Sequence, residues 1–172
     1  HRKYKFHGMT KKEYLVKLIE SIGYAADRGL FVVYSAEDCT REKDLNFLKQ
    51  AFRTAEEAGA NRVRIADTMG CTNPHGMAFL VKAVKENLQI PIAVHCHNDM
   101  GLALANTLAA VEAGASVVST SVNGLGERAG ITSTEEITLA LHILYGTKLF
   151  DTVLLKELSK LVEEMSSIKM PP

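Results

Sequence analysis

Apolar residues recur along this chain in blocks that alternate between helical and strand-like spacing. Leu15, Leu18, Ile19 and Ile22 fall on one stripe, which predicts a helix over 14–27. Gly29 follows, as a glycine often does past a helix end. Leu30-Phe31-Val32-Val33-Tyr34 reads as a short apolar strand. A second helix over 45–58 stops at Gly59, and Val63-Arg64-Ile65-Ala66 is the next strand. Pro74, tolerated in a first turn, opens a helix through Val84. A strand running into His95, a helix over 102–113 and a strand over 117–121 come next. Helices over 134–144 and 153–165 complete the pattern.

Glu57-Ala58-Gly59-Ala60 and Glu112-Ala113-Gly114-Ala115 echo one another, each a helix end, a glycine stop and a strand start. Strands recur about every 25–32 residues, the size of a βα unit. Nearly continuous apolar strands predict a parallel sheet covered on both faces, with right-handed connections. A complete (β/α)8 TIM barrel has eight strands in about 250 residues. This 172-residue chain shows four and begins with a helix that no strand precedes. The expected class is therefore α/β, with residues 1–146 forming the C-terminal half of a TIM barrel. Residues 147–172 would begin a post-barrel helical linker or subdomain. An open flavodoxin-like sheet is the alternative. A half-barrel leaves strand edges and an apolar inner face without partners, which predicts self-association.

Composition narrows the classes. The chain is 47% hydrophobic with a formal net charge of zero, so nothing points to nucleic acid or an anionic membrane surface. No apolar run approaches the roughly 20 residues of a membrane span. Cys39, Cys71 and Cys96 form no C-x-x-C pair, and the simple reading is a reducing cytoplasm.

Every predicted strand ends in polar residues: Ser35-Ala36-Glu37-Asp38 with Arg41, Asp67-Thr68-Met69-Gly70, His95-Cys96-His97-Asn98-Asp99, and Asn123 to Gly130. A barrel gathers such ends into one ring, where active sites are built. Each alone also reads as a cap or turn. His95 and His97, two apart on a strand, point to one side and suit a divalent metal ion. The bland reading is a pair of satisfied core histidines. Cys96 points the other way, as a packing thiol. Glu37 either favours the next helix's dipole or acts in proton transfer. Thr68 either caps the helix at Pro74 or offers its hydroxyl to a carboxylate. Arg128 is either a salt-bridge residue or an anion clamp. His7, His75 and His142 read as surface residues.

Together these strings resemble the 2-isopropylmalate synthase and homocitrate synthase family over essentially the whole chain. The specific ones are His95-Cys96-His97-Asn98-Asp99 and Gly124-Leu125-Gly126-Glu127-Arg128-Ala129-Gly130. The resemblance implies a TIM-barrel acyltransferase that condenses acetyl-CoA with a 2-oxo acid, works with a divalent metal ion (Mg, Mn or Zn) and forms a homodimer. It implies His95 and His97 as metal ligands, Thr68 and His1 as substrate contacts, and Glu37 in the active site. Two positions depart from the pattern. The family's opening strand with its Arg-Asp pair has no counterpart here, and Ile131 stands where the family has a metal-site Asn. The family's catalytic His and Tyr beyond the barrel also lack counterparts. A lyase of the hydroxymethylglutaryl-CoA type and an inactive half-barrel that binds a partner are the alternatives.

Overall fold

The computed structural model describes residues 8–170. Among them, helices and strands alternate: α1 (Lys11–Ala26), β1 (Val33–Ala36), α2 (Leu45–Glu57), β2 (Arg62–Asp67), α3 (Pro74–Lys85), β3 (Ile92–Cys96), α4 (Ala103–Glu112), β4 (Val117–Ser119), α5 (Thr134–Tyr145) and α6 (Leu155–Ser166). The strands form one sheet in the order β1-β2-β3-β4, and every pairing is parallel. A flavodoxin-like sheet reverses its strand order at a switch point. Here each strand pairs with its sequence neighbour, so right-handed connections carry every helix to the same side. That is the arrangement of a barrel arc.

Burial identifies the two faces. Tyr34, Ala36, Val63, Ile65, Ile92, Val94 and Cys96 share one core with Leu48, Phe52, Met77, Val81 and Ala110 of the helices. Side chains alternate along a strand. Val33, Ser35, Arg62, Arg64, Ala66, Ala93, His95, Val117 and Ser119 therefore lie on the opposite, inner face. Two expectations change. The helices cover one face of the sheet and not both, because a barrel's helix layer lies only outside. The inner face is not apolar either, since it carries Ser35, Arg62, Arg64, His95 and Ser119. The Arg-Val-Arg-Ile alternation of β2 is a period-two signal for a strand whose two faces differ.

Element ends follow local chemistry. Helix α1 begins before Tyr14 because Thr10 Oγ1 accepts from the Glu13 N–H while the Glu13 carboxylate accepts from the Thr10 N–H. Strand β1 begins at Val33 and not Leu30, since pairing to β2 starts at Val33↔Arg62. Leu30 and Phe31 stay exposed, and the Arg62 guanidinium lies 5.2 Å from the Phe31 ring centroid. Strand β4 stops at Ser119, and Ser121 bridges to Ser133 instead. Among the described residues no helix is long and apolar enough to cross a membrane.

Candidate active site

Parallel register brings the carboxyl ends of β1 to β4 to one rim. His95 stands on the inner face, between Ala66 of β2 and Ser119 of β4. His97 follows two residues on and is buried. Their rings meet at 75° with Nε2 atoms 3.3 Å apart. Two imidazole nitrogens about 2.1 Å from a shared ion, at an angle of roughly 100–110°, would stand about this far apart. The spacing is at the long end for an N–H···N hydrogen bond. Burial, then the His97 charge, then Arg64 push the His95 pKa down, which favours the neutral ring that ligates metals. The pair therefore fits a divalent cation. Among the described residues no third histidine, cysteine or carboxylate joins it. His97 Nδ1 is buried without a hydrogen bond. The backbone of His97 bridges to Ile131, so the position of the family's Asn does adjoin the histidines, but with an apolar side chain. Cys96 faces the helices, fully buried, its thiol pushed up to about 12 by burial.

Thr68 stands just beyond β2. Its Oγ1 accepts from the Asp38 N–H at 2.8 Å, which leaves its own proton to donate. It is not the cap of α3, a role taken by Asn73, whose Oδ1 accepts from the Gly76 N–H at 2.8 Å. Arg128, in the left-handed region at φ 59°, donates from Nε and Nη2 to the Asp99 carboxylate at 2.6 and 2.8 Å. Its Nη2 also donates to the Thr68 carbonyl at 2.6 Å. This forms the salt bridge of its sequence reading. It joins the ends of β2 and β3 to the loop after β4 and holds the Asp99 carboxyl below its usual range. Glu37 is exposed beyond β1 and lines a pocket with Tyr14, Tyr34, Asp38, Arg41 and Phe47. His1 and His7 lie outside the described residues. His75 and His142 are exposed, as expected.

Several organising residues stood out in the sequence only as polar strand ends. Asp67, fully buried, accepts from the Thr40 hydroxyl at 2.8 Å and the Cys71 N–H at 3.2 Å. Asn98 Oδ1 accepts from the Ala103 N–H at 3.1 Å and so starts α4. Glu135 accepts from the Asn123 N–H, and Asn123 Nδ2 donates to the Ser159 carbonyl of α6 at 3.0 Å. The glycine-rich loop is tight: the Ile131 N–H reaches the Gly124 carbonyl at 3.1 Å and the Asn98 N–H the Gly130 carbonyl at 2.9 Å.

A family model described as HMGL-like matches residues 1–162. Over 99% of its length the chain is 51% identical to homocitrate synthase AksA of Methanothermobacter thermautotrophicus, of which it covers 44%. It is 46% identical, over its full length, to a probable 2-isopropylmalate synthase of Methanopyrus kandleri, of which it covers 34%. The chain thus spans less than half the length of these curated relatives. The structure of HMG-CoA lyase from Bacillus subtilis superposes with a TM-score of 0.82 at 24% identity, covering 99% of this chain and 61% of that one. That likeness bears on the fold, and the four strands are a piece of a TIM-barrel-type architecture. With the family model spanning nearly all of it and close relatives along its whole length, the chain belongs to the HMGL-like family.

Proposed function

We propose that this chain forms half of the catalytic barrel of a cytoplasmic acyltransferase. The reaction joins the acetyl group of acetyl-CoA to a 2-oxo acid, giving a product of the homocitrate or 2-isopropylmalate type after which its relatives are named. The observation that carries this reading is the meeting of His95 and His97 Nε2 at 3.3 Å on the rim that also bears the Thr68 hydroxyl. His95 and His97 would hold a divalent ion (magnesium, manganese or zinc), which supplies Lewis-acid polarisation of a keto oxygen when bound.

The chain's own residues do the rest of the positioning. Thr68 offers its hydroxyl proton to the carboxylate of the 2-oxo acid. Arg128 grips the Thr68 carbonyl and Asp99, which fixes that hydroxyl and sets a positive charge beside the same carboxylate. Glu37, at the end of β1, serves in proton transfer. A base takes a proton from the acetyl methyl, the enolate carbon bonds to the keto carbon, and water then cleaves the thioester to release CoA. Carbon–carbon cleavage of the lyase type rests on fold likeness alone.

Calorimetry with Zn²⁺ or Mn²⁺ tests the metal pair. The chain is expected to bind, and His97→Ala to abolish the heat. An athermal titration, unchanged by the substitution, would count against the reading. Acetyl-CoA-dependent thiol release over a panel of 2-oxo acids tests the reaction in a polypeptide that supplies the whole barrel. The chain by itself is expected to show little or no turnover.

A further inference from the structure

The inner face of the sheet carries cations and no carboxylate. Arg62 and Arg64 stand two apart on β2, about 6.6 Å along the strand. Each Nε is buried without a hydrogen-bond partner, and neither guanidinium forms an ion pair among the described residues. Their neighbours across the sheet are Val33 and Ser35 on one side and Ala93 on the other, none of them an acid. The remaining inner-face positions are Ala66, His95, Val117 and Ser119. Whatever covers this face removes two guanidinium groups from water. A buried charge persists only when it is paired and hydrogen-bonded.

We propose that the inner face is an acid-receiving interface. Its occupant is a complementary barrel half whose inward-facing strand positions carry carboxylates for Arg62 and Arg64. The relatives leave room for such a half, since this chain covers only 44% of the length of one of them. A second copy of this chain is the wrong occupant for this face. It would set two arginine pairs against one another and bring no carboxylate from any inner-face strand position, since Asp67 of β2 faces the helices. The charge pattern thus selects the proper closing partner and rejects face-to-face pairing of like halves. The inference concerns barrel closure and stands whether or not the rim catalyses the proposed condensation.

The test uses the chain with charge-reversed copies of itself. R62E/R64E converts one copy into an acid-bearing half. Sedimentation equilibrium of an equimolar mixture of the native chain and R62E/R64E should show association at least tenfold tighter than either alone. Contacts through other apolar surfaces are common to all samples and cancel in the comparison. R62Q/R64Q mixed with R62E/R64E should show no such gain. Circular dichroism checks folding, and R64E alone replaces the double variant if that has lost its helical spectrum. Native chain that self-associates as tightly as the mixture, or a gain that persists with R62Q/R64Q, overturns the proposal.

Discussion

Replacing Gly130 by alanine should damage the chain far more than the same change at Gly146, although both glycines have left-handed backbones. Gly130 has φ 81° and Gly146 φ 68°. A non-glycine residue in that region costs about 1–2 kcal/mol. Gly146, at the end of α5, has nothing within 4 Å of an added Cβ, so that term is its whole cost. At Gly130 the Cβ would stand 1.9 Å from the Gly124 carbonyl oxygen. Both groups are backbone, so the loop itself must move. The move loosens the bonds from the Ile131 N–H to Gly124 and from the Asn98 N–H to Gly130, each worth about 1 kcal/mol. Residual crowding adds roughly 1–3 kcal/mol. The expected losses are about 1–2 kcal/mol for Gly146→Ala and about 4–7 kcal/mol for Gly130→Ala. In a chain of this size 1 kcal/mol moves Tm by roughly 2–4 °C. Thermal melts and urea titrations of the two variants read the difference directly. If Gly130→Ala loses no more than Gly146→Ala, the tight closure of the loop is not what the glycine is for.

The Asp99–Arg128 pair predicts a pH signature. Asp99 has its folded pKa lowered by the Arg128 hydrogen bonds, so its contribution is present above the unfolded value of about 3.9 and fades as pH falls through the folded value. Native chain should therefore be more stable than Asp99→Asn at pH 7, with the gap closing toward pH 3. Denaturation midpoints that differ equally at both pH values would contradict this. For the thiols, iodoacetamide at pH 8 should label Cys71, which is exposed, and spare Cys39 and Cys96, both buried and pushed up to about 12. Peptide mass spectrometry of the native chain decides it, and early labelling of Cys96 would refute the assignment of its face.

What was legible in the sequence came from short-range spacing. The period of two in His95-Cys96-His97 foretold both the shared side of the imidazoles and the burial of Cys96 on the opposite side, under the helices. The repeated helix, glycine and strand boundaries foretold the parallel order of the four strands. Reading β2 from Val63 hid Arg62, and with it the alternation that distinguishes a barrel interior from a face packed under helices. The rim bonds were hidden for another reason. Asp38 to Thr68, Asp67 to Thr40 and Arg128 to Asp99 join residues about one βα unit apart. Strand register decides such pairings, and no local motif records it. Thr68 shows the difference: next to a helix start it reads as a cap, while in the sheet it meets the neighbouring strand's loop.

The bond from Asn123 to the Ser159 carbonyl has a mechanical meaning. It tethers a helix that follows the barrel strands to the turn from which the glycine-rich loop departs. Glu135 pins the same turn by accepting from the Asn123 N–H. A displacement of α6 is therefore transmitted to the segment bearing Arg128, or else it ruptures the tether. Whatever docks on that helix has a lever on the rim.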